Sequence, residues 1–67
     1  MNNFATRLRE LRNERGLSQN GLSEILNVDQ RTISNWEKAV REPDFDMLIR
    51  IAKFFDVPTD YLLGLID

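Results

Sequence analysis

Residues 17–37, LSQNGLSEILNVDQRTISNWE, constrain the fold of this chain more than any other segment. Apolar side chains recur at helical spacing on both sides of a break at residues 27–29, which is the pattern of two amphipathic helices. Helices joined so closely must cross at short range, so the crossing needs a small residue and the turn needs a left-handed backbone. Ser23 and Asn27 stand at those two positions. The segment therefore predicts a helix, a tight turn and a second helix.

Capping and helix-breaking residues divide the whole chain into five predicted helices. Their expected spans are residues 3–15, 19–26, 30–38, 45–55 and 59–63. The residues expected to cap the first four N-termini are Asn2 or Asn3, Ser18, Asp29 and Asp44. Gly16 is expected to end the first helix in a left-handed conformation, and Gly64 to follow the fifth. The predicted fold class is all-α.

A chain of 67 residues is expected to form one domain, residues 1–67, with little apolar surface to spare. A domain of this size buries only roughly 60% of the surface that its unfolded form exposes. Nearly every strong apolar residue is therefore expected in the core. The predicted core positions are Phe4, Leu8, Leu11, Leu22, Ile25, Leu26, Ile33, Trp36, Phe45, Leu48, Ile51, Ala52, Phe55, Tyr61 and Leu62.

The composition leaves few residues for catalysis. The chain contains no histidine and no cysteine, which excludes the common zinc and iron ligand sets and the Ser-His and Cys-His nucleophile pairs. It also has no glycine-rich phosphate loop and no calcium-binding loop. The sequence therefore predicts no enzyme activity, no cofactor, no metal and no small-molecule ligand.

The absence of cysteine also favours a reducing compartment. Neither a signal peptide nor an apolar run approaching the roughly 20 residues of a membrane-spanning helix is present. We therefore expect a cytoplasmic protein that contacts no membrane.

The charge of the chain is polarised along the sequence. Its net charge of −2 argues weakly against nucleic-acid binding. Residues 1–41, however, carry seven of the nine Lys and Arg residues and five of the eleven acids, a balance of +2. Residues 42–67 carry the other two bases and six acids, a balance of −4. A chain arranged in this way can turn a basic side to phosphates and keep an acidic side away from them.

The outward face of the third predicted helix consists of hydrogen-bonding side chains. They are Gln30, Arg31, Thr32, Ser34 and Asn35. Amide, guanidinium and hydroxyl groups are the ones that reach base edges and phosphates in protein–DNA complexes. The spacing of Trp36 from Ile33 indicates a core role for the indole rather than base stacking. The pattern favours a helix that lies in a DNA groove.

The same segment resembles the helix-turn-helix of the Cro/repressor (Xre-like) DNA-binding family, and nearly the whole chain follows that family's layout. The motifs that carry the resemblance are Leu17-Ser18-Gln19, Thr32-Ile33-Ser34, Trp36-Glu37, Arg41-Glu42-Pro43 and Asp60-Tyr61-Leu62-Leu63-Gly64. The resemblance implies a compact five-helix lambda-repressor-like domain in which helices 2 and 3 form the helix-turn-helix. It also implies a transcriptional regulator, a repressor of bacterial or phage type located at the nucleoid.

By this resemblance, four side chains of the third helix fall where family members touch bases. They are Gln30, Arg31, Thr32 and Asn35. Gln19 aligns with a family residue that contacts phosphate and steadies the first side chain of the recognition helix, here Gln30. A solvated face on an ordinary helix is the alternative interpretation, and the surrounding motif makes it the less favoured one.

The resemblance also indicates which cations face the phosphates. Further phosphate contacts are expected from Arg12, Lys38 and Arg41. Arg12 has a second expected role, because the matching arginine in the family often pairs with the glutamate that aligns with Glu37. The arginines expected to be general solvated charges are Arg7, Arg9 and Arg15.

The chain departs from the family pattern at four positions. Ser23 and Asn27 replace the usual Ala and Gly, and both can serve because serine is small and asparagine tolerates the left-handed region. Gly21 removes the glutamate that often completes a capping box. Asp29 stands where Ser or Thr is more common. We interpret Asp29 as a cap, with acceptance of a hydrogen bond from cytosine as a second role.

A single recognition helix reads only a few base pairs, so a homodimer on two half-sites about 34 Å apart is expected. The expected dimer surface is the apolar end of the chain at Leu63, Leu65 and Ile66, with Met47 and Phe54 as additions. The alternative is that these residues close the domain's own core. The predicted partner is double-stranded DNA with a near-palindromic operator. A protein-binding module of the same fold, such as an antitoxin or an anti-repressor partner, is the alternative function.

Overall fold

The computed structural model describes residues 2–67, and within them it contains five α-helices and no strand. The helices are α1 (Phe4–Glu14), α2 (Gln19–Leu26), α3 (Gln30–Glu37), α4 (Phe45–Phe55) and α5 (Thr59–Leu63). The all-α prediction is confirmed, and each predicted boundary agrees with the observed one to within one residue. In the described part of the chain, no helix is long and apolar enough to cross a membrane.

Side-chain caps begin α2, α3 and α4 as predicted. Oxygen atoms of Ser18, Asp29 and Asp44 each accept a hydrogen bond from a backbone N–H two or three residues further on, at 2.8–2.9 Å. At α1 the capping position belongs to Asn3, but its side chain makes no cap hydrogen bond. Oδ1 of Asn2 accepts a hydrogen bond from the backbone N–H of Phe4 at 3.0 Å, and so satisfies one of the N–H groups that the first turn of α1 leaves without a helical partner.

The turn between α2 and α3 has the predicted left-handed geometry. Asn27 ends α2 at φ 58° and ψ 48°, and the backbone N–H of Val28 donates to the carbonyl of Ser23 at 3.0 Å. Ser23 is 3% exposed, and its hydroxyl donates to the carbonyl of Asn20 at 2.7 Å. A small side chain that satisfies its own hydroxyl allows the two helices to approach closely. The departures from the family at Ser23 and Asn27 therefore preserve the turn.

One apolar core underlies all five helices. Its buried members are Phe4, Leu8, Leu11, Leu22, Leu26, Ile33, Trp36, Ile51, Ala52, Phe55 and Leu62. Leu48 and Tyr61, also predicted there, are half-buried against it. The ring of Phe4 meets the indole of Trp36 edge-on, with centroids 6.4 Å apart. This contact ties the start of α1 to the end of α3, and it confirms the core role predicted for Trp36.

Two residues predicted in the core are exposed instead. Ile25 is 44% exposed because the buried face of α2 is centred on Leu22, Ser23 and Leu26, and position 25 lies on its flank. Phe45 is 83% exposed because it is the first residue of α4, before the part of the helix that packs on the core. Helical spacing alone does not show which end of a helix lies over its neighbours.

Arg7 was predicted to be a solvated charge, and this prediction is wrong. Its Nη1 donates to the carbonyl oxygens of Tyr61 and Ile66, and its guanidinium carbon lies 4.2 Å from the centroid of the Tyr61 ring. Nη2 also lies 3.9 Å from a carboxylate oxygen of Asp67. Arg7 therefore links residues 61–67 to α1. Arg15 is exposed, with its guanidinium carbon within 5.5 Å of the centroids of two aromatic rings in α4.

Candidate nucleic-acid interface

α3 presents a polar side outward above an apolar underside. Ile33 is fully buried and Trp36 is 5% exposed, so this side of the helix faces the core. The polar residues are exposed at Gln30 and Arg31 and half-buried at Thr32, Ser34 and Asn35. The most accessible part of this face is thus the first turn of α3, which follows the tight turn directly. In helix-turn-helix proteins the first residues of the recognition helix are the ones that reach base edges.

A buried ion pair lies behind this face. Nε and Nη2 of Arg12 donate to the two carboxylate oxygens of Glu37 at 2.6 and 2.9 Å, and Nη1 donates to the carbonyl of Leu17 at 2.9 Å. The side chains of Arg12 and Glu37 are only 12% and 3% exposed. The hydrogen bonds to Glu37 raise the pKa of Arg12 above its ordinary value, whereas burial acts against this shift and the charge of Glu37 adds to it. The pair expected from the family resemblance is present, and it ties α1 to the end of α3.

The ion pair is connected to the exposed face through two amides. Nε2 of Gln19 donates to Oε1 of Glu37 at 3.2 Å, and Nε2 of Gln30 donates to Oε1 of Gln19 at 2.6 Å. A hydrogen-bonded chain therefore runs from α1 through Glu37 and Gln19 to the first residue of α3. The expected support of Gln30 by Gln19 is observed in this geometry.

The carboxylate of Glu37 determines which way both amides face. A carboxylate only accepts hydrogen bonds, so Gln19 must turn its NH₂ group towards Glu37 and its oxygen towards Gln30. Gln30 must then donate to that oxygen, which leaves its own oxygen and one N–H available to a ligand. The orientation of an exposed amide is usually ambiguous, but here it follows from a buried charge. The free groups of Gln30 match the donor and acceptor that adenine offers in the major groove.

The other predicted contact residues lie on the surface. Arg31, Lys38 and Arg41 are exposed, and none of them is in an ion pair within residues 2–67. The backbone N–H groups of Val40 and Arg41 donate to the carbonyl of Asn35 at 2.9 and 3.3 Å, which holds the loop after α3 against that helix. Arg12 differs from these cations, because three of its N–H donors are already bound within the protein.

Sequence reasoning missed two side-chain hydrogen bonds, one of which orients Arg12. The carbonyl of Leu17 orients Arg12, and Nδ2 of Asn2 donates to Oε2 of Glu42 at 2.9 Å across 40 positions of sequence. Leu17 acts through its backbone carbonyl, which every residue type carries, so the sequence could not identify it. Asn2 and Glu42 are too far apart in the sequence for a local pattern to pair them.

Comparison with known proteins gives matches over most of the chain. The family model described as Helix-turn-helix matches residues 8–62. The transcriptional regulator ImmR of Bacillus subtilis is 41% identical over 58 residues, which cover 87% of this chain and 46% of that protein. This chain thus spans about half the length of that relative.

Solved structures match the fold closely. A transcriptional regulator from Listeria innocua superimposes with a TM-score of 0.91 at 34% identity, covering 100% of this chain and 63% of that one. The P22 c2 repressor, solved in complex with a synthetic operator, superimposes with a TM-score of 0.85 at 28% identity, covering 94% of this chain and 96% of that one. The five-helix layout expected from the resemblance is therefore confirmed.

Proposed function

Because this chain belongs to the Cro/repressor (Xre-like) helix-turn-helix family, we propose that it binds duplex DNA sequence-specifically and represses transcription. In this proposal, residues 1–67 act as one DNA-binding unit at the bacterial nucleoid, in the cytoplasm. The α3 helix enters the major groove. The side chains that contact base edges are Gln30, Arg31, Thr32 and Asn35. The operator-bound form of the P22 c2 repressor supports duplex DNA as the ligand.

The observation that carries the proposal is the fixed amide of Gln30. It is held by the 2.6 Å hydrogen bond to Gln19, which is itself bound to buried Glu37. Ordering a glutamine side chain costs up to about 2 kcal/mol of rotamer entropy, and here the hydrogen bonds that lead to buried Glu37 offset that cost. A fixed amide is useful where two hydrogen bonds must match one flat base. Each good bidentate contact of this kind gives about 1–3 kcal/mol of discrimination.

The proposed phosphate contacts are Gln19, Lys38 and Arg41. Gln19 begins α2 and is bound to Gln30, Lys38 directly follows α3, and Arg41 lies in the loop after it. Their contribution is independent of sequence and falls with salt, because binding releases counterions from the DNA. Arg12, the fourth expected phosphate contact, has a different part in the proposal. Its guanidinium is bound to Glu37, so it positions the network behind Gln19.

The proposed regulator is a homodimer on a near-palindromic operator. Leu65 and Ile66 are 72% and 47% exposed, whereas Leu63 is half-buried, so the first two leave apolar surface that a second copy can cover. Met47 and Phe54 are half-buried against the core and contribute at most their edges. Two recognition helices about 34 Å apart would read adjacent major grooves. Occupancy of the operator then blocks the polymerase.

Selection of bound duplexes from a random pool, at a stated salt concentration, tests this function. We expect a near-palindromic motif with half-sites one helical turn apart. The triple variant Gln30→Ala/Arg31→Ala/Asn35→Ala is expected to retain binding but to lose the motif. Arg9→Ala, an exposed charge on α1, is the matched control and should retain the motif. Equal affinity of the natural chain for every duplex would refute the proposal.

A protein-binding role of the same fold is the second candidate function. Phe45 is 83% exposed between two aspartates, and it borders a groove of about 110 Å³ together with Leu48 and Leu63. An apolar groove with acidic neighbours fits a basic protein partner, such as one bound by an antitoxin or anti-repressor module of this fold. The triple variant separates the two functions, because it removes DNA selection and leaves this groove unchanged.

A further inference from the structure

We propose that Asp29 is a further specificity residue, whose carboxylate selects bases that carry an exocyclic amino group, cytosine or adenine. The inference rests on the proposed function, since it requires α3 to lie in the major groove. It assigns to Asp29 a second task beside capping the helix. Guanine and thymine would be rejected at the base pair that Asp29 faces.

Asp29 lies at the end of α3 that the proposed function places in the groove. It directly precedes α3, in an extended conformation at φ −71° and ψ 146°, and its side chain is exposed. The next two residues, Gln30 and Arg31, are the most accessible of the proposed base-reading side chains. In this mode of docking the N-terminal end of the recognition helix approaches the bases. A side chain at residue 29 therefore enters the groove together with its neighbours.

The carboxylate of Asp29 has unused hydrogen-bonding capacity. Oδ1 accepts from the backbone N–H of Arg31 at 2.8 Å. Within residues 2–67, no side chain donates to Asp29 and no cation pairs with it. A carboxylate has about four acceptor sites and no donor, so one hydrogen bond leaves most of its capacity free. That capacity is filled by water until DNA displaces the water.

In the major groove, two of the four bases offer this carboxylate an amino-group donor. A carboxylate that loses water beside phosphates must gain a donor, because burying an unpaired charge is costly. In the major groove the base donors are N4 of cytosine and N6 of adenine, whereas O6 of guanine and O4 of thymine are acceptors. A serine or threonine hydroxyl can both donate and accept, so it tolerates either kind of base. Aspartate cannot, and its selectivity follows from that difference.

The test compares the natural chain with Asp29→Ser, which keeps a capping oxygen of equal rank. Dissociation constants are measured for the selected operator and for its variants at the base pair contacted by residue 29. The natural chain is expected to prefer C or A over G and T by at least about fivefold, the lower end of the range for a bidentate base contact. Asp29→Ser should reduce this preference to below about threefold, with the preferences due to Gln30 and Arg31 unchanged.

Two further variants separate selectivity from charge and from folding. Glu10→Gln removes an equal charge from an exposed position on α1, and it should change affinity without changing base preference. Asp29→Asn also caps a helix through its side-chain oxygen and then faces the base with an NH₂ donor, so it should lose the preference for amino-bearing bases even where Asp29→Ser folds poorly. If both variants of Asp29 bind all operators more tightly and keep the natural base preference, Asp29 is a cap only. If the natural chain selects no motif, the proposed function fails instead.

Discussion

Replacing the Arg12–Glu37 pair by two methionines should separate the stability of this domain from its ability to read DNA. Both side chains are nearly buried, and two hydrogen bonds from the guanidinium of Arg12 to the carboxylate of Glu37 join them. Removing one partner of a buried pair costs about 3–5 kcal/mol, because the other charge is left uncompensated. At about 0.05–0.15 kcal/mol per residue, a domain of 67 residues is stable by about 3–10 kcal/mol. Arg12→Met or Glu37→Met alone should therefore lose much of the folded state.

The double variant should regain that stability. Replacing a buried pair by apolar side chains of similar volume is often neutral, or stabilising by about 1–4 kcal/mol. Denaturant titration followed by fluorescence of Trp36, the single tryptophan, measures the free energy of unfolding of all four proteins. A double variant that is as unstable as the singles would refute the account of the pair.

The double variant should regain stability without regaining the natural base preference. Without Glu37, the NH₂ group of Gln19 has lost its acceptor, and Gln19 no longer fixes the amide of Gln30. We expect the preference at the base read by Gln30 to fall by up to one bidentate contact, about 5- to 150-fold. Arg12→Lys is the matched control, because it keeps a positive charge beside Glu37 and leaves the carboxylate of Glu37 to accept from Gln19. A stable Met/Met variant with the natural base preference would show that the network does not orient Gln30.

The pH of these assays does not change the contribution of Arg12. Its pKa is raised on folding, first through hydrogen bonding to Glu37. A group with a raised pKa contributes fully below its unfolded value and loses that contribution only as the pH passes its folded value. For an arginine this window lies above any pH used for DNA binding. The stability difference between the natural chain and Arg12→Met therefore carries no titration of Arg12 between pH 6 and 9.

Four further variants test the surrounding structure. Ala39→Gly should raise the free energy of unfolding by about 0.5–1 kcal/mol in denaturant titration, because alanine holds φ at 59° there; a loss would contradict this. In the same assay Phe45→Ser should change it by less than about 0.5 kcal/mol, whereas Phe55→Ala, at a site 4% exposed, should cost about 3–5 kcal/mol. Leu65→Asp/Ile66→Asp should shift sedimentation to the monomer and weaken binding to the two-half-site operator; an unchanged dimer would exclude this surface.

The helix boundaries could be predicted because their signals are local. Ser18, Asp29 and Asp44 cap backbone groups within three residues, and Asn27 ends α2 through its own backbone angles. Such interactions depend on the chain near them and little on the rest of the fold. The same reasoning failed for Phe45, whose exposure depends on where α4 begins relative to the helices it packs against.

The interactions that could not be predicted connect distant parts of the chain. Arg7 binds the carbonyl of Tyr61 across 54 positions of sequence, and no pattern distinguishes it from an ordinary surface arginine. The family resemblance indicated the pairings of Arg12 with Glu37 and of Gln19 with Gln30. It did not indicate that the four side chains form one network, nor that the charge of Glu37 sets the direction of both amides.

The start of α3 therefore presents two polar groups, the amide of Gln30 and the carboxylate of Asp29, and their hydrogen-bonding preferences have different origins. The amide of Gln30 can present a donor and an acceptor, and its hydrogen bond to Gln19 sets its orientation. The carboxylate of Asp29 can only accept, and its chemistry requires no orienting partner. We expect a stable fold without the Arg12–Glu37 pair, because apolar side chains of similar volume often replace a buried ion pair at little cost. The contribution that apolar residues cannot replace is a fixed direction for Gln19 and Gln30, so we attribute the buried pair to recognition rather than to stability.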